Sequence, residues 1–126
     1  MNLQIKFRGK DAVTGEWFYG NLFVKDGKGR THISTPERGC LRIDPETVGQ
    51  FIGILDKNGK EIYEGDLVRY YDDIEDELVT RPVEYLADYC AFCAVHPKRD
   101  PDGIFAQWEY EVVGNIHDKK ESDGED

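Results

Sequence analysis

A chain of 126 residues with 39% hydrophobic residues is the size at which one compact core forms, as one domain or two intimate lobes, with no disulfide or metal needed to complete it. Its net charge of −10 repels phosphate backbones on average, which argues against a protein that holds nucleic acid by broad electrostatic attraction. Residues 1–53 carry eight Lys and Arg against six Asp and Glu, net +2, whereas residues 54–126 carry eight against twenty, net −12; this split either steers a basic partner or another copy to the second half, or serves solubility.

The first nine residues alternate polar and apolar side chains without a long apolar run. This fits neither a secretion signal nor a membrane span, so the chain is expected to stay in the cytoplasm. Apolar alternation of period two continues throughout, and no long window keeps an i, i+3, i+4, i+7 stripe between turn signals; the expected fold class is all-β. Leu3, Ile5 and Phe7 alternate with Gln4, Lys6 and Arg8 in a first strand that gives way to a turn over residues 9–15. Residues 17–24 form a second strand, closed by Asp26-Gly27, and short strands follow at 31–34 and 40–43. Asp44-Pro45-Glu46 has the form of a helix start, with Asp capping and Pro first, but Gly49 limits it to one turn before a strand at 50–55. Next, Asn58-Gly59 within Asp56-Lys57-Asn58-Gly59-Lys60 predicts a hairpin in which both residues take the positive φ of a type I′ turn. Glu64-Gly65-Asp66 reads as a corner introducing a strand at 67–71. Residues 78–95 are apolar enough for two strands with a bend at Ala87-Asp88, and residues 97–103 are dense in turn formers. Residues 104–116 predict a closing strand with Trp108, Tyr110 and Val112 on one face, and the tail, 119–126, has no apolar residue and is expected to be disordered.

Four groups of residues invite a chemical reading. The 56–60 turn is similar to a calcium loop only superficially, because Gly59 comes fourth where such a loop needs Gly sixth. Glu64 and Asp66 beside Gly65 suggest an acid/base pair or, equally, a polar corner. Asp72, Asp73, Glu75, Asp76 and Glu77 form an acidic cluster that either binds a hard cation or, the expected reading, is a solvated loop. Cys90, Cys93 and His96 follow one another at Cys-x-x-Cys spacing, but strand residues three apart point to opposite faces and no second half-site exists; Cys40, His32 or His117 would have to complete a zinc site from afar. Three cysteines without a secretion signal are therefore expected to be free thiols, buried as small apolar residues. Trp17, Phe18 and Tyr19 lie near Lys6, Arg8, Lys25 and Arg30 and read either as core or as a base-stacking platform, with alternation placing Phe18 opposite Trp17 and Tyr19.

The run Thr47 to Arg69, TVGQFIGILDKNGKEIYEGDLVR, resembles the signature of the YopX family of bacteriophage and prophage proteins. Ile5-Lys-Phe-Arg8, the aromatic pair before Gly20 and Val112-Val-Gly-Asn-Ile116 are similar to the family pattern in the same order, so the resemblance covers residues 3–118. Members usually carry Trp-Asp after the first Arg, where this chain has Gly9-Lys10-Asp11, and Cys90, Cys93 and His96 fall outside the pattern. The resemblance implies a single YopX-like domain over residues 1–118, made of an N-terminal β lobe (1–53) and an SH3-like β-barrel lobe (54–118) opened by Glu64-Gly-Asp-Leu-Val68, in a protein of the bacterial host cytoplasm. It implies no assigned activity, and no catalytic, cofactor-binding or metal-binding residue is expected. The expected function is a non-enzymatic phage or prophage accessory protein that contacts a protein partner or another copy of itself, without a membrane. The alternative is a small nucleic-acid-binding barrel that uses the weakly basic first half.

Overall fold

The computed structural model describes residues 4–25, 30–105 and 108–118. The all-β expectation holds: eleven strands and one short 3-10 helix occur among the described residues, in two antiparallel sheets. The chain divides into two compact units, Met1–Ile54 and Leu55–Asp126.

The first unit contains β1 (Phe7–Lys10), β2 (Trp17–Lys25), β3 (Arg30–Thr35), β4 (Gly39–Arg42), the 3-10 helix Pro45–Thr47 and β5 (Gly49–Leu55), with strand order β4-β3-β2-β1-β5. Phe18, Ile33, Ile43 and Phe51 form its buried apolar set. Glycine is required at two crowded positions of the sheet: a Cβ on Gly20 would lie 2.1 Å from the Ser34 carbonyl oxygen of the neighbouring strand, and one on Gly9 2.3 Å from the Ile43 side chain. Gly9 and Lys10 pair with Phe18 and Trp17 of β2, so β1 runs on to Lys10 instead of turning at residue 9. The strand also starts later than the alternation predicts, at Phe7, and leaves Ile5 exposed. Asp44 caps the single helical turn as expected, its carboxylate accepting from the Glu46 N–H at 3.1 Å with Pro45 in first position. The Asp26-Gly27 turn and the 119–126 tail lie outside the described residues.

The second unit contains β6 (Glu61–Tyr63), β7 (Asp66–Asp72), β8 (Glu77–Leu86), β9 (Ala91–Ala94), β10 (Asp102–Gly103) and β11 (Glu111–Asn115). Five of these form an open sheet of order β10-β9-β8-β7-β11. Neither sheet closes on itself, so an open sheet stands where the SH3-like barrel was expected. Its core is Ile62, Tyr63, Val68, Tyr70, Val83, Cys93, Ala94 and Tyr110.

Two local expectations are corrected. Gly59 takes φ +83°, but Asn58 is not among the non-glycine residues of positive φ, and the Gly59 N–H donates to the Asp56 carbonyl at 3.0 Å. The turn is therefore a type I turn followed by a left-handed glycine rather than type I′. Its cause is the Asp56 side chain, whose Oδ1 accepts from the N–H groups of Asn58 at 2.8 Å and Lys60 at 2.9 Å. The single closing strand over 104–116 is broken: the Trp108 N–H donates to the Phe105 carbonyl at 3.1 Å, the chain bends, and only Glu111–Asn115 joins the sheet. Trp108 is exposed whereas Tyr110 is buried, its hydroxyl accepting from the Phe105 N–H at 3.1 Å.

Candidate functional site

Strand alternation decides what β7 offers to each side. Asp66, Val68, Tyr70 and Asp72 point inward and are buried, while Arg69 and Tyr71 point outward. The register pairs Val68 with Arg81 of β8, so Arg81 also points inward, and its guanidinium passes 5.8 Å from the Tyr70 ring centre. There Arg81 Nη1 donates to Asp72 Oδ2 at 2.6 Å, Asp102 Oδ2 at 3.0 Å and the Tyr70 hydroxyl at 3.2 Å. Tyr70 in turn donates to Asp102 Oδ2 at 2.6 Å. Arg99 closes the ring from the segment before β10, donating to Asp72 Oδ2 at 2.5 Å and Asp102 Oδ1 at 3.0 Å. Glu75 lies 3.2 Å from Arg81 Nη2 and also meets His96 Nε2. His96 Nδ1 accepts from the N–H groups of Lys98 at 2.8 Å and Arg99 at 3.0 Å. Those bonds use the Nδ1 lone pair and leave Nε2 to face Glu75.

Burying these charges is tolerable only because each is paired. Burial opposes ionisation of Asp72, but the Glu75 N–H, the Arg81 guanidinium, the Ile74 N–H and the Arg99 charge outweigh it and hold the carboxyl well below its usual range. Burial, then the hydrogen bond to Asp102, pushes the Tyr70 phenol well above its usual value. Burial likewise opposes the Asp102 charge, and Arg99 and Tyr70 hold that carboxyl down. A phenol held protonated thus stands beside two carboxylates held ionised. The arrangement acts as a clamp that ties the segment before β10 to β7 and β8.

The outward side differs. Tyr71 pairs with Leu78 in the β7–β8 register, and these two with Trp108 line a groove of about 470 Å³, within the range of ligand-sized clefts. Tyr71 is 48% exposed, Leu78 67% and Trp108 42%. At one wall Glu111 accepts from Arg69 Nη2 at 2.6 Å and lies 3.9 Å from Lys57 Nζ. The hydrogen bond from Arg69, assisted by its charge and that of Lys57, holds the Glu111 carboxyl below its usual range. Asp73 and Glu109 also line the groove, and among the described residues neither has an ion-pair partner.

The residues singled out from sequence scatter. Cys90 sits exposed in a turn at φ +52° with Sγ toward the Ala87 carbonyl, Cys93 is buried in β9, and His96 is committed to Glu75. Cys40 is exposed as well, so the expectation of three buried thiols holds for Cys93 alone. His32 lies 3.3 Å from the Arg30 carbonyl. His117 packs beside Gly65. Among the described residues no group of three His, Cys, Asp or Glu side chains is placed to hold a metal ion. Glu64 accepts from the Tyr85 N–H at 3.4 Å and buried Asp66 from the Tyr63 N–H at 2.8 Å, which makes Glu64-Gly65-Asp66 a corner. The acidic cluster is only partly a solvated loop: Asp73, Asp76 and Glu77 are exposed, but Asp72 is buried because two guanidiniums reach it. In the first unit Phe18 is buried and Tyr19 exposed, as alternation requires. Arg8, expected in a basic surface patch, is buried with its guanidinium 4.5 Å from the Trp17 ring centre. Lys6 lies 6.0 Å from the Phe51 ring centre. Arg30 is exposed in β3, and the Lys25 side chain lies outside the described residues.

The sequence reading missed Arg81 and Arg99 as partners of Asp72, missed Asp102 as the second carboxylate they hold, and missed the groove. The one available signal was the alternation through Val68, Tyr70 and Asp72, which forces Tyr71 outward. A YopX protein family model matches residues 6–121. The chain belongs to the YopX protein family. Among curated proteins none matches it. The family match spans both units, so the clamp and the groove lie on the part of the chain that is YopX-like.

Proposed function

We propose that this YopX-family chain is a non-enzymatic phage or prophage accessory protein that works by binding another protein through the outward face of its second unit. The observation that carries this reading is the groove of Tyr71, Leu78 and Trp108, three large apolar side chains left to solvent beside a well-packed core. The clamp of Tyr70, Asp72, Arg81, Arg99 and Asp102 supports the non-enzymatic part, because most of its polar atoms, Arg99 Nε excepted, are spent on one another. Nucleic-acid binding through the first half is less well supported, since Arg8 is withdrawn onto Trp17. The test is affinity capture from host extract with the wild type and with Tyr71→Ser/Trp108→Ala, followed by reconstitution from purified components. A protein that binds the wild type directly and not the variant supports the proposal. Equal capture by both removes the groove from the function.

A further inference from the structure

We propose that the groove accepts an extended peptide segment in which Lys or Arg side chains flank a bulky apolar one; this rests on the reading of the groove as a protein-docking surface. The apolar part of the inference follows from exposed Tyr71, Leu78 and Trp108, which bring two aromatic rings and an aliphatic side chain to the lining. The cationic part follows from the walls. Arg69 and Lys57 share the single carboxylate of Glu111, and Asp73 and Glu109 bring the charged lining to two cations against three carboxylates, net −1. The adjoining turn adds exposed Asp76 and Glu77. Residues 55–118 carry six Lys and Arg against sixteen Asp and Glu, net −10, so the groove lies on an acidic unit whose net charge favours cations. A guanidinium or ammonium entering it also gains the faces of Trp108 and Tyr71, which attract a cation within about 6 Å of a ring centre. The same field repels the phosphates that would accompany a stacked base and the carboxylates of an acidic peptide.

The probe is a short fluorescein-labelled peptide of repeated Lys-Leu-Arg-Trp. Its counterpart has Glu at every Lys and Arg, and the third probe is labelled oligothymidylate; all are titrated against the full chain by fluorescence anisotropy at low and high salt. The basic peptide is expected to bind about tenfold or more tighter than the acidic one, with partial loss at high salt as the charges are screened. Tyr71→Ser/Trp108→Ala, checked for fold by circular dichroism, is expected to lose that binding, and Asp73→Asn/Glu109→Gln to lose the preference for the basic peptide while keeping apolar binding. Equal or tighter binding of the acidic peptide, lost in the Tyr71/Trp108 variant, overturns the cationic occupant but leaves the groove a docking site. Binding of the oligothymidylate that the Tyr71/Trp108 variant loses overturns the proposal in favour of nucleic acid. Basic-peptide binding that neither variant changes reduces the attraction to net charge and overturns both this proposal and the function on which it rests.

Discussion

Asp56→Asn keeps the shape of a side chain that three backbone groups depend on and removes its charge. Oδ1 serves the N–H groups of Asn58 and Lys60, and Oδ2 accepts from the Val112 N–H at 2.9 Å, so one buried carboxylate ties the 56–60 turn to β11. Burial opposes its ionisation, yet the N–H groups of Val112, Lys60 and Asn58 outweigh that and hold the carboxyl below its usual range. An amide has one acceptor oxygen. If it stays with Asn58 and Lys60, the amide nitrogen faces the Val112 N–H, donor against donor. The stranded N–H costs about 1–3 kcal/mol, and the two remaining bonds fall to roughly half their charge-assisted strength. Relief of burying the charge returns part of this, leaving an expected loss of about 2–3 kcal/mol, which for a chain of this size lowers Tm by on the order of 10 °C. Thermal unfolding by circular dichroism gives the total, and amide exchange locates it, because exchange at Val112 is expected to quicken more than at Val68, where only the global loss is felt. A Tm within about 1 °C of the wild type, or a drop without faster exchange at Val112, would refute the reasoning.

Arg81→Met leaves Asp72, Glu75 and Asp102 with one guanidinium among them, and urea titration is expected to show a loss of roughly 3–5 kcal/mol; a loss under about 1 kcal/mol would mean that the cluster is solvated. Asp56, Asp72 and Asp102 all have folded values held below the ordinary 3.8. Their stabilisation is therefore complete above the unfolded value and is lost as pH falls through the lower folded ones. The urea midpoint should be level from neutrality to about pH 5 and decline below about pH 4, and a midpoint that stays level to about pH 2.5 would contradict this. With a thiol-disulfide reagent on native protein, Cys40 and Cys90 should react quickly. Cys93, buried and with its thiol pushed up by that burial, should react only on unfolding; three equal rates would contradict its placement.

How far the sequence could be read depended on whether a feature was local. Alternation from Trp17 and from Leu67 found β2 and β7 to within a residue or two, and Asp44-Pro45 announced its helical turn, because each signal and its consequence lie within one element. Asn58 defeated the turn assignment because the deciding group was the Asp56 carboxylate, which competes for the same N–H groups. Trp108 was misplaced because apolar alternation persists through a bend that a single N–H to the Phe105 carbonyl creates. The clamp was beyond reach for another reason: Asp72 finds Arg81 nine positions away and Arg99 twenty-seven away, and only the register of β7 on β8 brings them to one point. The groove was half legible, since burying Tyr70 exposes Tyr71, but Trp108 reaches it only through the unforeseen bend.

The clamp also constrains how the sequence can change with time. Asp72 touches both guanidiniums with one oxygen, so a lineage that lost this carboxylate first would leave Arg81 and Arg99 without the acceptor they share. One that lost Arg81 first would leave three carboxylates to Arg99 alone. Neither intermediate packs, and a hydrophobic replacement becomes tolerable only when several positions on separate segments have already changed. Substitutions at residues 72, 81, 99 and 102 are therefore expected to be inherited as a set, whereas Leu78 and Trp108, exposed and tied to no buried charge, are free to change one at a time.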